Sequence, residues 1–200
     1  MNLNQLSWDH HRNPSYSFES FLLRSAHWTT VPTAPGVYWW YFPQHCLTKF
    51  RIAELCVPGS LALRRSPAGK VCLYHGMATS LAERVKWHAA QKLTPGALRS
   101  GFLSTFRLTL LVLNDYDFAR GATDIDAFMD GLEIEWQQFP TVREALAAET
   151  LELAGAFHYP LNIQNNRRSE LAAFTLHLKG LRKAYKERYL RAQHAVADPS

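Results

Sequence analysis

Arg84 and His88 stand four residues apart in a segment, Ser80 to Gln91, that is built of good helix formers without Gly or Pro and opens on a serine able to cap it. At about 100° per residue the two share a face, and Ala82, Val85 and Ala89 form the stripe beside it, so the pair lies at the border of the buried face. A guanidinium and an imidazole placed there, just after the glycine turn that ends Tyr74-His75-Gly76, can both reach one anionic ligand. Solvated helix faces carry such pairs as well, so the chemistry needs a second element. Glu149 supplies it. In the helix expected after Pro140, the same periodicity puts Val142, Leu146, Leu153, Ala156 and Phe157 on one stripe with Glu149 in its middle, while Glu152 lies to the side and Glu144 points away. An unpaired carboxylate is costly to bury, so Glu149 must meet a cation, a hydrogen-bond network or a cleft. An ion pair, with Arg84 as one candidate partner, and a metal ion both meet that demand.

Gly36-Val37-Tyr38, Tyr74-His75-Gly76, Leu81, Arg84, His88, Glu149 and the Pro160-Leu161-Asn162 turn follow one another in an order and spacing that resemble the GIY-YIG nuclease signature. Val37 and His75 replace the usual isoleucines. Period 2 puts His75 on the opposite side of its strand from Tyr74 and Gly76, where a satisfied core or edge histidine is expected. The resemblance implies an α/β (α+β) domain, a small, mainly antiparallel three-stranded sheet flanked by helices. It also implies an endonuclease that hydrolyses phosphodiester bonds of duplex or branched DNA with one Mg²⁺, for which Mn²⁺ can substitute. Tyr38, Tyr74, Arg84, His88, Glu149 and Asn162 are then the catalytic set, with Glu149 as metal ligand. Arg84 suits the non-bridging phosphate oxygens, since a planar fork outperforms a point charge there. Tyr38 or Tyr74, helped by His88, would position or deprotonate the water, and the choice among the three stays open. Asn162 would tie the site together by donating and accepting hydrogen bonds. The rival reading is a catalytically inactive GIY-YIG-fold nucleic-acid-binding module. A third is an interaction protein whose basic arm binds an acidic partner.

The elements that must position these residues are legible in part. Val37 to Phe42 is β-branched and aromatic throughout, a buried strand, and Val71 to His75 is its expected antiparallel partner. Between them the connection from Gln44 to Lys70 holds an expected strand, Phe50 to Val57, and a turn-rich tip carrying Arg64 and Arg65. Thr94-Pro95-Gly96 breaks the chain. Leu103, Phe106, Leu110 and Leu113 recur at helical spacing behind Ser104, and Ser104-Thr105-Phe106-Arg107 is similar to a stretch of bacterial GIY-YIG proteins. A short helix over Asp124 to Asp130 and a half-exposed third strand, Leu132 to Trp136, follow. Residues 1 to 16 read as irregular, and Ser17 as the cap of a helix from Phe18 to Ala26.

The C-terminal stretch Ser169 to Gln193 reads as a helix broken at Gly180. Leu171, Phe174, Leu178, Leu181, Tyr185 and Tyr189 would pack inward, and Arg182, Lys183, Lys186 and Arg191 would face out. Residues 1–166, with an insertion over 43–70, form the expected nuclease-like domain, and 167–200 a basic arm packed on it. The formal charge of +5 is unevenly spread: from Arg167 to His194 eight basic residues face Glu170 and Glu187, whereas Asn114 to Glu152 carries ten acids against Arg120 and Arg143. That polarity steers an anionic polymer to the arm, so Arg64, Arg65, Arg167, Arg168, Lys183 and Lys186 are the expected DNA contacts. The arm could equally serve a homodimer or another partner. No long apolar run or basic-then-apolar leader is present, which argues against a membrane protein and a secretory signal. Three cysteines without a CxxC pair argue against disulfides and a zinc cluster, and for the cytoplasm.

Overall fold

Tyr16–Ser17 (β1) and Gly36–Phe42 (β2) open the sheet in the computed structural model, which describes those first two residues and 31–197 except Pro58, Phe102, Ala119, Asn165 and Arg167. The helix expected over Phe18 to Ala26 lies outside the described residues. Every residue of β2 is buried, as its aromatic composition demands, because β2 is an inner strand with both faces covered. Tyr38, Trp40 and Phe42 point into the larger core, and Val37, Trp39 and Tyr41 into a smaller one on the opposite face.

The connection after β2 is helical where a strand was expected. Cys46–Lys49 (α1) and Ile52–Leu55 (α2) replace the strand Phe50 to Val57. Arg51 turns the chain between them at φ 61°, which lets both Phe50 and Ile52 reach the core. Val71–Ala78 (β3) then runs antiparallel to β2, three residues beyond its expected end, with Tyr38 opposite Gly76. Leu81–Ala90 (α3) starts at Ser80, whose hydroxyl accepts from Glu83 N, as the sequence indicates. The expected break at Thr94-Pro95-Gly96 is instead a helix start: Thr94 caps Pro95–Ser100 (α4), where proline in the first turn loses no intrahelical bond. Thr105–Leu113 (α5) is capped by Ser104, and Gly121–Asp130 (α6) precedes Glu133–Gln138 (β4).

β4 pairs antiparallel with β2 and with β1, giving the order β1-β4-β2-β3: the three expected strands plus a two-residue edge. Its expected half-exposure is not found. Glu133 and Glu135 are buried because Lys70 and Arg64 reach over to pair with them at 3.3 and 3.1 Å.

Val142–Ala154 (α7) carries the largest correction. Thr141 and Glu144 form a capping box at its start. Its inward side is not the stripe of large apolar residues: Val142 and Leu146 are 43% and 51% exposed, and Phe157 is exposed too. Ala145 and Ala148 face in, since Trp39, Tyr41 and Tyr159 already fill the space below and leave room only for methyl groups. Glu149 and Glu152, spaced from them by the same helical period, are half-buried along that alanine face.

A 3₁₀ turn, Ser169–Leu171, leads into Ala172–Ala197 (α8), which runs unbroken through Gly180. Leu171, Phe174, Leu178 and Tyr185 are buried and Leu181 and Tyr189 partly so, chiefly against α5, which bears out the inward set. Among the described residues no helix is long and apolar enough to cross a membrane.

Candidate active site

Tyr38, Tyr74, Arg84, Glu149 and Asn162 line one cleft of about 240 Å³, together with Thr105 and Arg182. Two glycines make that convergence sterically feasible. A Cβ on Gly76 would stand 2.5 Å from the Tyr38 hydroxyl, so the phenol lies across the bare backbone of β3. A Cβ on Gly36 would stand 2.4 Å from both the Gln137 carbonyl and a Leu81 methyl, so β2 can meet β4 and α3 only without a side chain there.

The Tyr38 hydroxyl and His88 Nε2 are 2.9 Å apart, and His88 Nδ1 and Ser104 Oγ 2.8 Å. His88 does not lie at the border of its helix as expected but is fully buried behind Tyr38, in edge contact with Phe106. Burial, then the charges of Arg84 and Arg107, push its pKa down to about 3, so the imidazole is neutral at physiological pH. The pair therefore does not reach one anion together: Arg84 faces the cleft, and His88 supports the phenol from behind. Arg107, itself buried, donates to the His88 and Ala89 carbonyls at 3.1 and 2.6 Å and to Asp126 at 2.9 Å, which satisfies the C-terminal carbonyls of α3.

The two phenols are neighbours, with ring centroids 6.2 Å apart. Burial first, then Tyr74, hold the Tyr38 pKa well above that of a free phenol, and the Arg84 charge opposes this. Tyr74 is raised by burial as well, with its hydrogen bond to Tyr38 and the Arg84 charge pulling the other way. Arg84 stacks on Trp87 at 4.9 Å. It makes no ion pair with Glu149 among the described residues; the two act on each other across the cleft. Burial raises the Glu149 pKa above the usual carboxylate value, against a hydrogen bond from Met77 N and the Arg84 charge.

Asn162 clips the site to the sheet. Its Oδ1 accepts from His75 N at 3.0 Å and its Nδ2 donates to His75 O at 2.7 Å, while Leu161 N donates to Leu73 O at 2.9 Å. His75 lies on the opposite face as expected, buried between Trp39 and Tyr159 with Nδ1 3.1 Å from Tyr38 O.

A family model described as the GIY-YIG catalytic domain matches residues 36–184. The chain belongs to the GIY-YIG nuclease superfamily. No curated protein and no solved structure matches it. The GIY-YIG match opens at Gly36 and closes two residues past Arg182, so it takes in the first half of α8.

The other expected contacts of this GIY-YIG chain are scattered. Arg64 is not at a loop tip: its guanidinium lies over Trp39 and binds Tyr41 at 2.8 Å, Glu135 at 3.1 Å and Glu152 at 3.5 Å. Arg65 is exposed, bonded to Gln44 and the Gly69 carbonyl. Arg168 donates to the Leu153 and Gly155 carbonyls, closing the C-terminus of α7. Lys183 is exposed beside Glu187, Lys186 is half-exposed, and Arg167 lies outside the described residues. Sequence reasoning missed Arg182, which it turned outward. The spacing was there to read: Arg182 follows Leu178 by four residues and precedes Tyr185 by three, which is the inward stripe. Ser104, read as a cap and as the start of the family-like stretch Ser104-Thr105-Phe106-Arg107, also holds His88.

Proposed function

We propose that this chain is a Mg²⁺-dependent DNA endonuclease, an active member of its family. The observation that carries the reading is the convergence of Tyr38, Tyr74, Arg84 and Glu149 on one open cleft, with Tyr38 bonded to a buried, neutral imidazole. A purely structural cluster would have paired Arg84 with Glu149; here both face the cleft unpaired with each other among the described residues.

No group of three or more His, Cys, Asp or Glu side chains is assembled among the described residues, so a chelating metal cage is not the fit. A single half-buried carboxylate in an open cleft suits Mg²⁺, which keeps most of its water and takes one or two carboxylates. When bound, such an ion supplies Lewis acidity at the phosphate and the leaving oxygen. Arg84 would fork onto the non-bridging oxygens and offset the charge that grows there. Tyr38 would hold the attacking water and take its proton while passing its own to His88 Nε2. That relay needs the tautomer in which Nδ1–H donates to Ser104. Both groups start poorly suited, the phenol too basic to ionise and the imidazole too desolvated to charge, so the proton would reach His88 only in concert with attack on the phosphate, whose negative charge favours the imidazolium. Asn162 keeps Tyr74 and Gly76 in place through the backbone of His75.

The test is incubation of supercoiled plasmid with protein and Mg²⁺. Nicking or linearisation that vanishes in Glu149→Gln supports the reading; equal action by the two proteins rejects it.

A further inference from the structure

Arg182, like Arg84, differs from the other buried or half-buried arginines of the described chain. Arg64 is tied to two glutamates, Arg107 to Asp126 and helix carbonyls, and Arg168 to the end of α7. Arg182 is half-buried and forms no ion pair with any described residue, yet it lines the cleft and lies close enough to Tyr74 for the two to interact electrostatically. Removing a guanidinium from water without a partner is costly, and burial accordingly lowers its pKa. A cation kept in that position is matched when an anion enters. The charged groups lining the cleft are Arg84, Arg182 and Glu149, a net of one positive charge before any metal ion enters, so the cleft already favours an anion such as a phosphodiester. The cleft, at about 240 Å³, lies below the roughly 300–1,000 Å³ of pockets that enclose a drug-sized molecule, so it admits a backbone group more readily than a whole nucleoside.

We propose that Arg182 is a second phosphate-binding residue of the cleft, gripping the backbone of the nucleic acid together with Arg84, so that α8 forms part of the substrate site. The assignment of that phosphate to a nucleic acid rests on the nuclease reading above; the anion site itself does not. Arg84 arrives from α3 and Arg182 from α8, so closing on one phosphate joins two elements that are far apart in the chain. The fork geometry of arginine serves this better than lysine, because two nitrogens can meet two oxygens.

The experiment uses the full chain and two probes. Inorganic phosphate is titrated while the thermal midpoint is followed, in wild type and in Arg182→Ala, Arg182→Gln and Arg182→Lys. A short DNA duplex is titrated over a range of salt concentrations in the Glu149→Gln background, where cutting does not interfere. The expected result is that Arg182→Ala loses the phosphate-induced rise in midpoint, binds the duplex roughly tenfold more weakly and shows a salt slope smaller by about one. Arg182→Lys should recover the slope but only part of the affinity. A helix that merely packs less well would shift the midpoint without phosphate and leave the slope alone. Unchanged slope and phosphate response in both Arg182→Ala and Arg182→Gln overturn the proposal. Loss of both responses in a protein whose wild type cuts no DNA or RNA overturns the nuclease reading instead and leaves the anion site standing.

Discussion

Asn162 pairs with both backbone groups of His75, donating to its carbonyl at 2.7 Å and accepting from its amide at 3.0 Å, on the outer edge of β3. One side chain thus does what a further strand would do at that position, and it does so between the two residues, Tyr74 and Gly76, that face the cleft.

Asn162→Ala should therefore cost stability as well as activity. Two buried backbone groups lose their partner, which is worth about 1–3 kcal/mol. Urea unfolding should show that loss, with cleavage falling by more than the unfolded fraction explains. An Asn162→Ala protein with wild-type cleavage and an unchanged midpoint contradicts the clip.

Gly76→Ala separates positioning from folding. The added methyl would fall 2.5 Å from the hydroxyl of the buried Tyr38 and displace a side chain, whereas in Gly36→Ala it would strike the Gln137 carbonyl, which belongs to the backbone of the sheet. Gly76→Ala should fold and cut roughly a hundredfold more slowly or worse, the lower end of what a positioned general base contributes. Gly36→Ala should be the poorer folder by circular dichroism and thermal midpoint.

His88 makes an acid-sensitivity prediction. Its pKa in the fold, about 3, is below the unfolded value of about 6.5. The unfolded chain therefore binds a proton first as pH falls, and the stability conferred by the neutral buried ring is complete above pH about 6.5 and is lost progressively toward pH 3. His88→Gln, lacking that titration, should show a flatter dependence of the urea midpoint over this window, though a lower stability at pH 7. A parallel pair of curves would show that His88 does not titrate as assigned.

Cleavage by the free enzyme should correspondingly show no ionisation near 6.5. Its acid limb should belong to Glu149, whose carboxyl without a metal titrates above the usual carboxylate range, so protons compete with Mg²⁺ for it, activity is lost as pH falls, and the limb moves to lower pH as Mg²⁺ is raised. The profile of kcat/KM against pH tests this, and an acid limb that stays put in a His88 variant supports the assignment.

Arg64→Ala should unfold the protein more readily while barely altering DNA affinity. It removes the cation that Glu135 and Glu152 share, leaving their charges facing the Tyr41 and Tyr159 hydroxyls, and breaking one side of a buried ion pair typically costs about 3–5 kcal/mol. Arg65→Ala should do the reverse, with an unchanged urea midpoint. Binding isotherms on a short duplex beside the two unfolding curves would expose any exchange of roles.

The sequence revealed the strands and the capped helices because local signals govern them: an all-aromatic run for β2, a serine before each of α3 and α5. It also placed Tyr38, Tyr74, Arg84, Glu149 and Asn162 in one site, although Glu149 was reached by a faulty step. Of the periodic stripe from Val142 to Phe157, Val142, Leu146, Ala156 and Phe157 face solvent and only Leu153 packs on the small core, because the bulk of Trp39, Tyr41 and Tyr159 selects alanines for the main contact. That is information held by another part of the chain. The depth of His88 and the locked state of Arg64 escaped for the same reason: each depends on partners, Ser104 in one case and Glu135 with Glu152 in the other, that spacing along a single element does not reveal. The strand expected over Phe50 to Val57 failed at Arg51, where a left-handed residue splits an apolar run into two short helices.

α8 extends as one uninterrupted helix for 26 residues, about 39 Å, with Gly180 in its third turn. Its early turns carry Arg182 at the cleft, and its later turns hold the exposed Arg188 and Arg191. Beyond Arg182, Tyr185 is buried with its hydroxyl on the Tyr116 carbonyl, and the Tyr189 ring lies against Phe118. The helix is thus pinned just beyond the cleft, so a load on its far end would be taken up at these two tyrosines and Arg182 would keep its place.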